Sequence, residues 1–326
     1  MARTERRKTG YAAAPANRVP STGCAGVPAG LRREAPASGG SAARSHPTVE
    51  LLRKLASVPQ ALAGLVVLAL IAAAAVLSPW IVPVDAEEMD FDNLLSGPSA
   101  AHWLGSDQMG RDTLARLIVG ARIALLVSLG AVGLGVLLGV PLGLLSVYFR
   151  GRVDDVLMRL MDALVTFPSL LIAVGLAAAL GGSLRTVIIA IGIANVPWMA
   201  RIVRSQGLSI RERDFVKAAE SLGLSHPRII ARHILPNCIA PVIVQSTLSM
   251  GYAVLTEAAL GFVGVGIQPP TPTWGNMLQQ AFPMLEQQPL LSIVPGVAIF
   301  LLVLSFNCVG DALRDLLDPR LRGVIH

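Results

Sequence analysis

The sequence predicts an all-α, polytopic membrane protein with about six transmembrane helices and a large cytoplasmic loop. Three observations carry that prediction. Only 15% of the 326 residues are charged and 53% are hydrophobic, whereas an ordinary soluble domain carries about 25% charged residues. The charges cluster and leave long neutral gaps: 30 residues between Lys54 and Asp85, 27 between Arg122 and Arg150, 22 between Asp162 and Arg185, 24 between Arg232 and Glu257 and 24 between Glu286 and Asp311. Crossing a bilayer core takes roughly 20 helical residues, so these five gaps suffice, and the 15 residues between Arg185 and Arg201 are marginal. Finally, 23 of the 27 Lys and Arg residues fall on one face if six helices alternate. That bias places both termini in the cytoplasm of a multi-pass plasma (inner) membrane protein. The same bias accounts for the +6 net charge without a nucleic acid partner, leaving membrane lipid as the neighbour and the basic tail either solvated or touching anionic headgroups.

Residues 1–55 are rich in Ala, Pro, Gly, Ser and Arg without hydrophobic periodicity, which predicts a disordered basic cytoplasmic tail. The first transmembrane segment covers 56–83, with Trp80 suited to the outer interface. An external acidic segment, 84–118, contains Asp85, Glu87, Glu88, Asp90 and Asp92. The membrane core then spans 119–311, with helices expected over 119–147, 157–180, 185–203, 239–262 and 289–310, a cytoplasmic loop over 205–237, and a cytoplasmic C-terminus over 312–326. Gly135, Gly139 and Gly143 recur every four residues on one face of the second helix, which admits close approach of another helix. Asn195 and Pro197 interrupt the marginal fourth span, either as a broken helix lining a polar path or with Asn195 bonding between helices. Glu257 is costly within a span; it either touches a translocation path or makes a structural hydrogen bond. Cys238 and Cys308 read as small buried hydrophobes.

The cytoplasmic loop is the most informative stretch. Asp214 to Pro227 and on to Asn237 reads as two short helices. Gly223 is placed to end the first, because glycine adopts left-handed backbone cheaply. Pro227 suits the first turn of the second, and Pro236 is expected to break the chain before the fifth span. Ala218, Ala219, Gly223, Leu235 and Pro236 resemble the EAA loop of binding-protein-dependent ATP-binding-cassette importers, with Lys217 standing where the family has an acidic residue. Further resemblances lie in His102–Asp107, Gly110–Asp112 and Arg116, in Asp154-Asp155 with Asp162 and Phe167-Pro168, in Thr256–Phe262 and in Pro272–Gly275. Together they resemble the second-permease type of the dipeptide, oligopeptide and nickel branch over residues 55–322.

That resemblance implies a transport subunit for peptides, or alternatively for nickel or another metal chelate. It implies a homologous second permease, two ATPase subunits or domains, and an extracytoplasmic substrate-binding protein. It also implies that Lys217, Ala218, Ala219, Gly223, Leu235 and Pro236 couple to the ATPase, while Asn195 and Glu257 are possible path residues. The three lysines, Lys8, Lys54 and Lys217, follow Arg7, Arg53 and Val216, so none sits in a Gly-Lys-Ser/Thr phosphate loop. ATP and magnesium are therefore expected on the partner ATPases and no cofactor on this chain. The five histidines show no metal-ligand spacing and no catalytic constellation is present, so no enzyme is expected. A rival reading, a secondary transporter independent of ATP, asks for several intramembrane ionisable groups and inverted repeats, and only Glu257 is a clear candidate.

Overall fold

The computed structural model describes residues 54–81 and 86–317. The expected basic tail up to residue 53, Cys24 and the last nine residues lie outside them, as do Val82 to Asp85. Among the described residues the main α-helices are, in order, α1 Pro59–Ile81, α2 Thr113–Phe149, α3 Arg152–Thr166, α4 Ser169–Leu180, α5 Leu184–Arg211, α6 Asp214–Ser221, α7 His226–Ile229, α8 Leu235–Val263, α9 Trp274–Ala281 and α10 Leu290–Leu317. No strand occurs among the described residues. Five helical stretches are long and apolar enough to cross a membrane, and the pair α3 and α4 makes a sixth if counted as one bent span.

Side-chain caps fix several helix starts. Asp112 accepts from the Ala115 N–H at 2.7 Å and begins α2 six residues before the expected 119, so the preceding segment ends earlier than 118. Ser183 and Thr186 form a capping box at the start of α5, and Thr273 and Asn276 form one at the start of α9.

The centre of the bundle is the α2–α5 seam, built on the glycine row. A Cβ on Gly139 would lie 2.6 Å from Met199 Cβ, and one on Gly143 would lie 2.6 Å from the Ala200 carbonyl oxygen. Only glycine lets the two backbones come this close. Val127, Ala131, Val187, Ala190, Ile191 and Met199 pack the surrounding core.

Three expectations need correction. The helix expected over 157–180 is divided at Phe167-Pro168, and its halves meet at 85°. Proline disfavours helical backbone at the residue before it, and Phe167 is extended at ψ 135°. The second half, α4, has 12 residues and is about 18 Å long, too short to cross alone. The bend opens a cleft of about 220 Å³ lined by Phe167, Pro168, Ser169, Ile193, Pro197 and Trp198. Pro236, in turn, does not break the chain. Residues Ile230–Ile234 form a π-helical turn that runs directly into α8, and Leu235 N–H bonds to the Ile230 carbonyl, five residues back. The wider turn accommodates a proline that can neither donate nor tolerate the usual carbonyl beneath its ring. Likewise α5 continues past the expected 203 to Arg211, straight through Asn195 and Pro197, and helix is unbroken from His226 to Val263, so the expected loop 205–237 shrinks to 212–225.

Candidate functional site

At one end of the bundle, the loop end, α6 and α7 form a compact cap. Helix α6 terminates through two bonds: Leu224 N–H to the Ala219 carbonyl at 3.2 Å and Gly223 N–H to the Glu220 carbonyl at 2.9 Å. Gly223 sits at φ +73°, the left-handed conformation this ending requires. A Cβ there would meet nothing within 4 Å, so the demand for glycine is conformational rather than steric. Pro227 lies in the first turn of α7.

One face of the cap is anchored. Val216 and Ala219 of α6, with Ile229 and Ile234, pack on Val147 of α2, Ile210 of α5 and Cys238 of α8. This small core ties α6 to the ends of three long helices at once. Polar contacts reinforce it: Arg211 donates to the Val147 carbonyl at 2.8 Å and pairs with Glu220 at 3.8 Å. Arg150 pairs with Glu212 at 2.9 Å and holds its carboxyl below the usual carboxylate range, chiefly through the hydrogen bond it donates. Lys217 lies 3.9 Å from the other Glu212 oxygen. Nearby, Asp154 of α3 receives two bonds of 2.6 Å from Arg204 and one from Ser146, fastening α3 to α5 and α2.

The other face is open. Lys217, Ala218 and Gly223 are exposed, as are Phe215 at 42% and Leu222 at 82%. Phe215 and Leu222 are seven residues apart, two helical turns, and so share a face. This exposed apolar pair, one residue on α6 and the other at its C-cap, is a candidate surface for contact with another molecule. Of the residues singled out from sequence, Lys217, Ala218 and Gly223 stand on this open side. Ala219 faces the anchoring core, Leu235 is half-buried and Pro236 is exposed in the first turn of α8. Sequence reading passed over Phe215 and Leu222, although their spacing was available.

Asn195 and Glu257 are not near this cap. Asn195 is buried on the seam, its Cβ against Gly135 and its Nδ2 donating to the Ile191 carbonyl at 3.4 Å. Glu257 is 1% exposed beneath the α8–α9 contact, against Thr273, and its Oε1 has no hydrogen-bond partner. Neither lines the elbow cleft. On the cleft side, Ser169 and Tyr252 pair their hydroxyls at 2.5 Å across α4 and α8.

The opposite end is closed by a polar cluster. Asp107 accepts from Arg111 Nε at 2.7 Å and lies 3.5 Å from Arg116 Nε. Gln280 of α9 accepts from Arg111 at 2.9 Å and from Arg116 at 3.5 Å. His102 pairs with Asp112 at 2.9 Å. Trp274 donates its indole N–H to the Leu117 carbonyl at 2.9 Å and packs against Gly120. The segment before α2 and helix α9 are thus fastened to each other and to α2. No group of three or more metal-binding side chains occurs among the described residues.

With this geometry in hand, comparison with known proteins is informative. Residues 131–323 match the family model described as binding-protein-dependent transport system inner membrane component, and residues 47–98 match the N-terminal TM domain of oligopeptide transport permease C. The chain is 42% identical over 276 residues to the dipeptide transport system permease protein DppC of Alkalihalophilus pseudofirmus, covering 85% of this chain and 91% of that protein. It is 41% identical over 278 residues to the glutathione transport system permease protein GsiD of Escherichia coli, covering 85% and 92%. Among solved structures, the MetNI methionine ABC transporter in inward-facing conformations aligns with a TM-score of 0.53 at 18% identity, covering 65% of this chain and 98% of that one. This last likeness speaks for the fold alone.

Proposed function

Because the chain belongs to the binding-protein-dependent transport system inner membrane components, we propose that it is a permease subunit of an ATP-binding-cassette importer for short peptides, driven by a separate ATPase through the α6–α7 cap. The observation that carries this reading is the two-faced cap. An anchored face grips α2, α5 and α8, and an open face displays Phe215, Lys217, Ala218 and Leu222. A partner that seizes the open face moves the ends of three membrane helices together, because packed cores shift as units rather than deform.

In this reading the loop end and both termini face the cytoplasm, a placement that the distribution of basic residues supports. Two ATPase subunits or domains dock there, one of them on α6, and they hold the ATP and magnesium. A homologous second permease completes the path, and a substrate-binding protein delivers cargo at the opposite end. Chemistry belongs to the ATPases, and this chain transmits motion. Ala218 and Gly223 shape the docking surface. Lys217 offers a cation that the partner groove must answer. Ala219 and Leu235 seat the cap, and Pro236 with its π-helical turn sets the angle at which α8 enters. The burial of Asn195 and Glu257 within this chain supports packing roles for both rather than contact with cargo. The dipeptide and glutathione relatives both have peptide cargo by their names, which favours peptides over a metal chelate.

Affinity purification of the chain from its native membrane, followed by reconstitution in liposomes, tests the reading. Co-purification of a second permease and an ATPase, with dipeptide uptake that requires ATP, is expected. A chain that comes out alone and transports without ATP contradicts the proposal and restores the secondary-transporter rival.

A further inference from the structure

The α3–α4 elbow leaves broken backbone beside the middle of α5. Ile193 and Trp198, which line its cleft, lie about 14–21 Å along α5 from Leu184 at 1.5 Å per residue, midway in a helix long enough to cross the membrane. At the elbow itself Phe167 is extended, and Phe167 and Pro168 are both exposed. A helix end leaves carbonyls without helical partners. At membrane depth such backbone is tolerated where protein covers it or water reaches it, and not against lipid tails.

Three features say what enters from that side. The walls are apolar: Phe167, Ile172, Ile193, Ala194 and Trp198 line the cleft, and Ser169 carries the one side-chain oxygen. Ser169 shares a hydrogen bond of 2.5 Å with the Tyr252 hydroxyl, and Tyr252 is 46% exposed. That bond uses one of two O–H donors, so the pair keeps one to give. Tyr252 also continues a polar track on α8. Gln245 donates from Nε2 to Ser249 Oγ at 3.3 Å, and Gln245, Ser249 and Tyr252, spaced by four and three residues, share one helical face. Polar side chains within a span face protein or water rather than lipid.

We infer that the elbow cleft is where this chain touches its cargo, taking one apolar side chain of a peptide while the Ser169–Tyr252 pair donates to a peptide carbonyl. This rests on the peptide-importer reading and supplies the contact that Asn195 and Glu257, both buried, do not. At about 220 Å³ the cleft is smaller than the roughly 300–1,000 Å³ that enclose a drug-sized ligand, so it receives part of a cargo molecule and not the whole. No charged side chain lines it, so a metal ion or a charged peptide terminus finds no partner there. A lipid chain fits the walls but strands the spare O–H in hydrocarbon. A neighbouring helix has its backbone carbonyls already bonded. A peptide in transit brings both the apolar side chain and the free carbonyl.

The test uses the whole transporter, with second permease, ATPases and binding protein, reconstituted in liposomes. Ala194→Leu fills the cleft from α5 and should shift the ratio of dileucine to diglycine uptake roughly fivefold or more toward diglycine. Both cargoes are read on one preparation, so a loss of folding or coupling lowers both rates without moving the ratio. Ala194→Val, a smaller filling for use if the Leu variant fails to assemble, should shift the ratio the same way by roughly twofold. Removing both hydroxyls, by Ser169→Ala with Tyr252→Phe, should slow both cargoes on the order of fivefold. In native membranes Ala194→Cys should react with a charged methanethiosulfonate reagent faster than the parent chain does, because the reacting thiolate needs water. An unchanged ratio, parental rates without the hydroxyls, or an unreactive thiol overturns the inference; the last is the result for a cleft covered by lipid or by the second permease. The proposed function fails differently, through a parent that transports without ATP or takes up no dipeptide. A parent that imports dipeptides with ATP while the Ala194 variants keep its ratio removes the cleft assignment alone.

Discussion

The two ends of the molecule satisfy their polar groups in opposite ways. At the end opposite the cap, Asp107, Arg111, Arg116 and Gln280 form a buried knot that holds the segment before α2 and helix α9 in one arrangement. At the loop end the charges are mostly exposed: the Arg150–Glu212 pair is about half in solvent and Lys217 more so. There the burial is apolar and one-sided, with Val216 and Ala219 facing in while Phe215 and Leu222 face out. A buried ionic knot is expensive to open and favours rigidity. A small apolar core beneath an exposed helix can be gripped and moved as a unit. In the proposed function the knotted end is the fixed frame and the cap is the handle.

The largest expected effect tests the fixed end. Arg116→Ala leaves Asp107 and Gln280 partly unpaired in a buried site and should cost about 3–5 kcal/mol. The variant should accumulate poorly in the membrane, read by quantitative immunoblot; normal accumulation breaks the comparison at this end. Next comes the handle. Gly223→Asp should abolish uptake while membrane insertion holds and the melting temperature falls by no more than a few degrees, because the left-handed backbone costs a β-carbon only about 1–2 kcal/mol, confined to the end of α6. Gly223→Asn, better suited to left-handed backbone, should keep more transport; equal loss in both moves the cause from conformation to side-chain contact. Leu222→Asp should change stability by less than about 0.5 kcal/mol, as exposed sites do, yet reduce ATP-driven uptake at least tenfold.

The smallest effect concerns pH. Arg150 depresses the Glu212 carboxyl in the folded chain, so the pair stabilises fully above the ordinary carboxylate value of about 4.3. Its contribution fades as pH falls through the lower folded value. A small melting difference between Glu212→Gln and the parent should therefore be constant from pH 5 upward, shrink as pH falls below about 4.3, and vanish once the pH lies below the folded value. A difference that grows on acidification contradicts the assignment.

Much of this arrangement is legible in the linear sequence, for local reasons. Charge-free gaps mark the spans because charged groups are costly in hydrocarbon. The Gly135, Gly139 and Gly143 row marks the seam because its period matches the helix, and Gly223 and Pro227 mark the cap because each has one preferred backbone role. The elbow is only half legible: Phe167-Pro168 advertises a break, but nothing local sets its 85° angle, and the Asp154–Arg204 bond that fastens α3 to α5 spans 50 residues of sequence. Pro236 misleads, because a π-helical turn absorbs it without interrupting the helix. The knot is the least legible. Gln280 meets Arg111 across 169 residues of sequence, and no local pattern announces that pairing.

The central claim is that the α6–α7 cap, and not the knotted end, receives the ATPase. Placing a photo-crosslinking residue at position 222, and in a second chain at position 103, tests it most directly. Leu222 and Trp103 are both strongly exposed, at 82% and 72%, and they lie at opposite ends. In native membranes, position 222 should capture the ATPase and position 103 should not. Capture of the ATPase from position 103, or its absence from position 222 in a variant that still transports, contradicts the account.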